Sequence, residues 1–95
     1  LTLPKVYSPI EPVEIGGVTF EVRSLTRAEQ FQMQKMVEQK APADESEIAM
    51  IAYATDTSIE EVREWYGKTP GWAINELIAV ILKVSRLDEG AQKSS

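Results

Sequence analysis

Val13-Glu14-Ile15-Gly16-Gly17-Val18-Thr19-Phe20-Glu21-Val22-Arg23-Ser24-Leu25-Thr26-Arg27-Ala28-Glu29 decides the fold, because it passes from a strand-period pattern through a turn into a capped helix start. Glycine takes positive φ at little steric cost, as a two-residue hairpin loop requires, so Gly16-Gly17 predicts a tight turn between two short strands. With those two residues as the loop, Ile15 faces Val18 and Val13 faces Phe20. Val13, Ile15, Val18, Phe20 and Val22 then share one face, and Glu14, Thr19, Glu21 and Arg23 the other. A lone hairpin is marginal in water, so the apolar face requires a helix against it.

Thr26-Arg27-Ala28-Glu29 fits a capping box, with the Thr26 hydroxyl accepting from the Glu29 amide and the Glu29 side chain returning to the Thr26 amide. This first helix is expected to end near Lys40, since Pro42 lacks a donor and biases Ala41 away from helical dihedrals. Ala28 and Phe31 lie on one arc, and Met33, Met36 and Val37 on another, so the helix is expected to touch two things. Asp44-Glu45-Ser46-Glu47 predicts a second cap, with acidic residues at the positive end of the dipole. Ile48, Ile51, Ala52 and Thr55 follow at helical spacing, flanked by Met50 and Tyr53.

Thr55-Asp56-Thr57 interrupts that pattern, and Ser58-Ile59-Glu60-Glu61 reads as another capping box. The third helix carries Ile59, Val62, Trp65 and Tyr66, with Gly67 placed for a left-handed C-cap. Thr69-Pro70 pairs an N-cap residue with proline at the first helical position. From Trp72 to Leu87 the fourth helix presents Ala73, Leu77, Val80, Ile81 and Val84, widened by Ile74, Ile78 and Leu82, and this breadth makes it the expected centre of the fold. Gly90 is the expected stop.

Upstream, Pro4, Pro9 and Pro12 make residues 1–12 an extended arm, read either as a partly ordered terminus or as a segment whose Leu3, Val6, Tyr7 and Ile10 dock on a neighbouring subunit. The expected organisation is this arm, one domain over residues 13–89, and a flexible polar tail at 90–95. The fold class is α+β, mainly α, with an N-terminal β-hairpin packed on about four helices.

At 95 residues the chain has room for one small core. Fifteen acidic against ten basic residues give a net charge of −5 with no basic run, which argues against a nucleic-acid or anionic-membrane surface. Neither cysteine nor histidine is present, so disulfides, thiolate nucleophiles, structural zinc sites and the usual general base are all excluded. Asp44, Glu45 and Glu47, or Glu60, Glu61 and Glu64, lack the ligand order and turn glycine of a calcium loop and read as caps and solvated faces. Gly16-Gly17 has no phosphate-loop pattern around it. No catalytic residue, metal or cofactor is expected, and the chain is not expected to be an enzyme.

The longest apolar run, Leu77 to Leu82, is far short of the roughly 18 to 20 residues of a membrane span, and no signal-peptide pattern precedes it. Leu1 stands first, so an initiator and a removed segment are left open. What remains is surface: Trp65, Tyr66 and Trp72 bracket the Gly67-to-Gly71 loop, and Met33 and Met36 offer adaptable contacts, so these five are the candidate partner-binding residues. The plainer reading puts the aromatic residues in the core.

The order of Val13 to Glu29, then Ala54-Thr55-Asp56-Thr57-Ser58-Ile59-Glu60-Glu61-Val62-Arg63-Glu64-Trp65, then a long apolar helix, resembles the tail assembly chaperones of long-tailed bacteriophages over roughly residues 13–89. The resemblance implies a protein that binds the apolar, helix-rich tape measure protein and keeps it soluble until tail-tube subunits polymerise around it. It also implies action in the host cytoplasm, departure before the virion matures, self-association and, in many members, a longer frameshifted form. It brings no catalytic residue. The rival expectations are a head-tail connector or tail-completion subunit that stays in the particle and, behind it, an enzyme working through carboxylates and a metal.

Overall fold

The computed structural model of the chain describes residues 2–87. The expected helix stop at Gly90 and the expected tail at 90–95 lie outside them. Two strands, β1 (Glu11–Ile15) and β2 (Val18–Val22), precede four helices: α1 (Arg27–Glu38), α2 (Ala43–Thr55), α3 (Ile59–Lys68) and α4 (Gly71–Val84). The fold is α+β and mainly α, with the hairpin at its N-terminal end.

The hairpin forms in the expected register, with Ile15 opposite Val18 and Val13 opposite Phe20. Gly16 and Gly17 have φ of 59° and 81°, the pair of positive values that a type I′ loop needs. β1 starts at Glu11, so Pro12 is a strand residue opposite Glu21, tolerated because every strand of a two-stranded sheet is an edge. Burial runs diagonally across the apolar face: Ile15 and Val22, the last residues of their strands, are buried, Val13 and Phe20 are half-buried, and Val18 is 56% exposed. α4 covers β1 and α2 covers β2, and among the described residues no helix covers the corner at Val18.

The expected centre is corrected: α2, not α4, is the hub. α2 contacts α1, α3, α4 and β2, and buries Ile48, Ala49, Met50, Ile51, Ala52 and Ala54. Its alanines let neighbours approach from several sides at once. α4 packs against α2 and β1 and buries Ala73, Leu77 and Ile81 of its stripe and Ile74 of its extra breadth, while Ile78, Val80 and Leu82 are only half-buried.

The capping box of α1 forms in full, with Glu29 N–H donating to Thr26 Oγ1 at 3.2 Å and Thr26 N–H to Glu29 Oε1 at 2.9 Å. Lys40 turns left-handed at φ 59° and the chain reverses ahead of Pro42. At α2 the expected side-chain cap is absent: Pro42, extended at φ −57° and ψ 145°, stands at the N-cap position. Asp44 instead accepts from Glu45 N–H at 3.0 Å, inside the first turn. Asp56 closes α2 in the left-handed region at φ 52°.

Ser58 makes the forward bond of its box, accepting from Glu61 N–H at 3.2 Å; the return bond from Glu61 is not formed. Gly67 does not cap α3, which continues to Lys68. Thr69 ends it, held extended because it precedes proline, and its hydroxyl donates to the Trp65 carbonyl at 2.6 Å. Thr69 therefore serves the end of α3, and Pro70 takes the N-cap of α4. α4 stops at Val84, short of the expected Leu87, with Arg86 left-handed at φ 61°. The Ser85 hydroxyl there accepts from Leu25 N–H at 2.9 Å, tying the end of α4 to the β2–α1 junction.

Arg23 is the polar counterpart of that tie. Its backbone N–H donates to Ala54 C=O at 3.0 Å. Its guanidinium meets Glu29 at 2.9 Å and Asp56 at 3.0 Å, so one side chain joins the hairpin to the start of α1 and the end of α2. The hydrogen bonds from Arg23 hold the Glu29 carboxyl below its ordinary range.

Candidate partner-binding surfaces

Among the described residues no three acidic side chains gather closely enough to hold a metal ion, and no buried side-chain polar atom lacks a partner. The features left to explain are apolar ones at the surface.

The first lies at the hairpin tip. Trp65, half-buried on α3, meets Phe20 edge to face at 5.7 Å between ring centroids and 73° between planes. Trp72, at the start of α4, is 55% exposed and lies over the turn. A Cβ on Gly16 would come within 3.1 Å of its ring, so Gly16 is required both for its positive φ and for this approach. Val18, Trp65, Pro70 and Trp72 border a groove of about 260 Å³. Beyond Phe20 and Trp65, a second hollow of about 200 Å³ continues over Ile51 and Val62, with Glu61 at its rim.

Two of the five expected partner residues thus come together, Trp65 and Trp72, and Tyr66 does not join them. One helical residue on, it points about 100° away, and its hydroxyl donates to Glu47 of α2. That bond pushes the Tyr66 phenol up to about 12. With the Arg63–Glu45 ion pair at 2.7 Å, it fastens α3 to α2, so Tyr66 is a structural residue.

The second surface belongs to α1, which has no fully buried side chain. Met33 and Met36 are half-buried, while Phe31 and Val37 stand 54% and 68% exposed. Met33, Val37, Leu25 and Leu87 line a hollow of about 270 Å³, rimmed by the uncharged amides of Gln30 and Gln34. Phe31 lies outside it, with the Arg27 guanidinium 5.8 Å from its ring centroid. The expectation that α1 touches two things is half met: α2 takes one side, and Phe31 and Val37 on the remainder are exposed among the described residues.

Comparison of the chain with protein-family models, curated proteins and solved structures gives no match. No helix among the described residues is long and apolar enough to cross a membrane.

Sequence reasoning placed Val18 in the core and did not single out Phe31 or Val37 as surface residues. The signal for Phe31 and Val37 was present in the poor stripe of α1, whose apolar residues fall on two arcs. For Val18 there was none, because strand alternation shows which face a residue is on and not how far a helix extends over that face. The third surface is the arm, where Leu3, Val6, Tyr7 and Ile10 are 60–96% exposed.

Proposed function

We propose that this protein is a phage tail assembly chaperone that binds apolar helical segments of the tape measure protein and keeps them soluble in the host cytoplasm until tail-tube subunits assemble. The observation that carries the reading is α1, a twelve-residue helix with no buried side chain and with Phe31 and Val37 exposed. A helix that contributes so little to its own core is accounted for by an apolar partner. The hollow beside it fits the groove mode of helix recognition, in which apolar side chains spaced three and four residues apart enter a cleft. Met33 supplies an adaptable wall and the Gln30 and Gln34 amides impose no fixed charge, which suits a long and variable client. The ordered resemblance of residues 13–89 supplies the identity of that client.

The test is co-expression with the tape measure protein encoded beside this chain. The expected result is that the tape measure stays soluble and co-purifies, and that Phe31→Ser with Val37→Ser loses it to the pellet. Aggregation regardless of this protein would refute the reading. One observation favours the connector alternative: the exposed apolar arm has the character of a segment that locks permanent subunits together. Recovery of the chain from purified mature virions would decide for it.

A further inference from the structure

We propose that the arm of one copy, Thr2 to Ile10, seats in the tryptophan-bordered groove at the hairpin tip of a second copy of this chain. This inference is independent of the chaperone reading.

The arm is built to stay extended. Prolines fix φ at positions 4, 9 and 12, and the residues before them, Leu3, Ser8 and Glu11, are pushed to extended backbone as well. In a polyproline helix of three residues per turn, Leu3, Val6 and Pro9 form one edge and Pro4, Tyr7 and Ile10 the adjacent one. The result is a largely exposed apolar ridge, Val6 at 96%. Grooves that accept such ridges are lined by aromatic rings, and Val18, Phe20, Trp65, Pro70 and Trp72 supply such a lining.

Charge agrees. The arm holds Lys5 and none of the fifteen acidic residues; the groove's own charged residue, Lys68, is paired with Glu64 at 3.0 Å, and the neighbouring hollow beyond Phe20 and Trp65 has Glu61 on its rim. Direction favours a second copy. The arm leaves β1 at Glu11, the end of the hairpin opposite the Gly16-Gly17 turn, and its last residues pass Ser24, Leu25 and Ser85. Reaching its own groove would require a reversal at Ile10, between Pro9 and the restricted pair Glu11-Pro12. Outward, at about 3.1 Å per residue, it extends roughly 28 Å, close to the shortest dimension of the molecule, 30 Å.

Both tryptophans of the chain border the groove, so their emission reports its occupancy. The experiment is sedimentation equilibrium of the full chain with tryptophan emission recorded at each concentration, alongside the double variant Val6→Asp/Tyr7→Asp and the groove variant Val18→Asp. All three substituted residues are exposed, and circular dichroism checks that helix content is unchanged. The expected result is association of the parent chain with a blue shift that tracks mass. Either variant raises the dissociation constant at least about tenfold and reddens the emission. Mixing the two variants restores association, because one supplies an intact arm and the other an intact groove. A monomeric parent chain, variants that assemble like the parent, or a mixture that stays dissociated would overturn the proposal. So would emission that reddens in the arm variant with no change in mass, which would place the arm in its own groove.

Discussion

α1 and α2 are consecutive helices of twelve and thirteen residues, and they are held in opposite ways. α2 buries six side chains, while α1 buries none and is fixed at its N-terminal end by the Thr26 capping box and the Arg23–Glu29 pair. One helix is gripped from several sides, the other by its end and along one side. A helix held by its N-terminal end and along one side by α2 leaves its remaining face free for something else, which is where the exposed Phe31 and Val37 lie.

The sharpest way to break this contrast is to remove one side chain from each helix. Ile51, 2% exposed at the hub, should lose about 2–5 kcal/mol as Ile51→Ala in urea unfolding, a large share of the stability of a domain this size. A small loss would mean that α2 is not the centre. Arg23→Met tests the end anchor. Its partner Glu29 is largely covered but Asp56 is 66% exposed, so we expect about 2 kcal/mol from the Glu29 side and little from Asp56. Hydrogen exchange should quicken in α1 and not in α2.

The same anchor has an acid limit. Glu29 titrates below its ordinary value of 4.5 when folded because Arg23 hydrogen-bonds its charged form. Its contribution is therefore whole above about pH 4.5 and is lost as pH falls through the lower folded value. Exchange in α1 should accelerate in that acid range ahead of α2, and Arg23→Met should abolish the difference. A smaller effect on stability is expected of Met33→Ser with Met36→Ser, about 1 kcal/mol for two half-buried side chains. Phe31→Ser should change stability by no more than about 0.5 kcal/mol while reducing tape measure retention. If Phe31→Ser unfolds the protein, α1 is a core helix after all.

Much of the fold was legible because its signals are local. Gly16-Gly17 between alternating runs specifies turn, register and face together, and Thr26 with Glu29 specifies where α1 begins. The errors fall where a residue serves a neighbour in space. Thr69 stands before a proline and looks like the start of α4, yet its hydroxyl satisfies a carbonyl of α3. The hub was misplaced because the apolar width of α4 was weighed and, of the small residues of α2, Ala52 alone was placed in its stripe, although Ala49 and Ala54 are buried with it and together they admit several neighbours. Of the candidate surface, Trp65 and Trp72 were readable as a pair around one loop. Tyr66 was not separable from Trp65, since the Glu47 carboxylate that turns it inward lies nineteen positions away.

The bond from Leu25 N–H to Ser85 Oγ joins positions sixty apart. During synthesis at about 5–20 residues per second, Leu25 waits roughly 3 to 12 seconds for its acceptor to be made. Through that interval the hairpin, α1 and α2 can assemble around Arg23, but the junction between β2 and α1 stays unlatched. The nascent chain therefore passes through a half-closed form until the end of α4 is made and Ser85 can latch the junction.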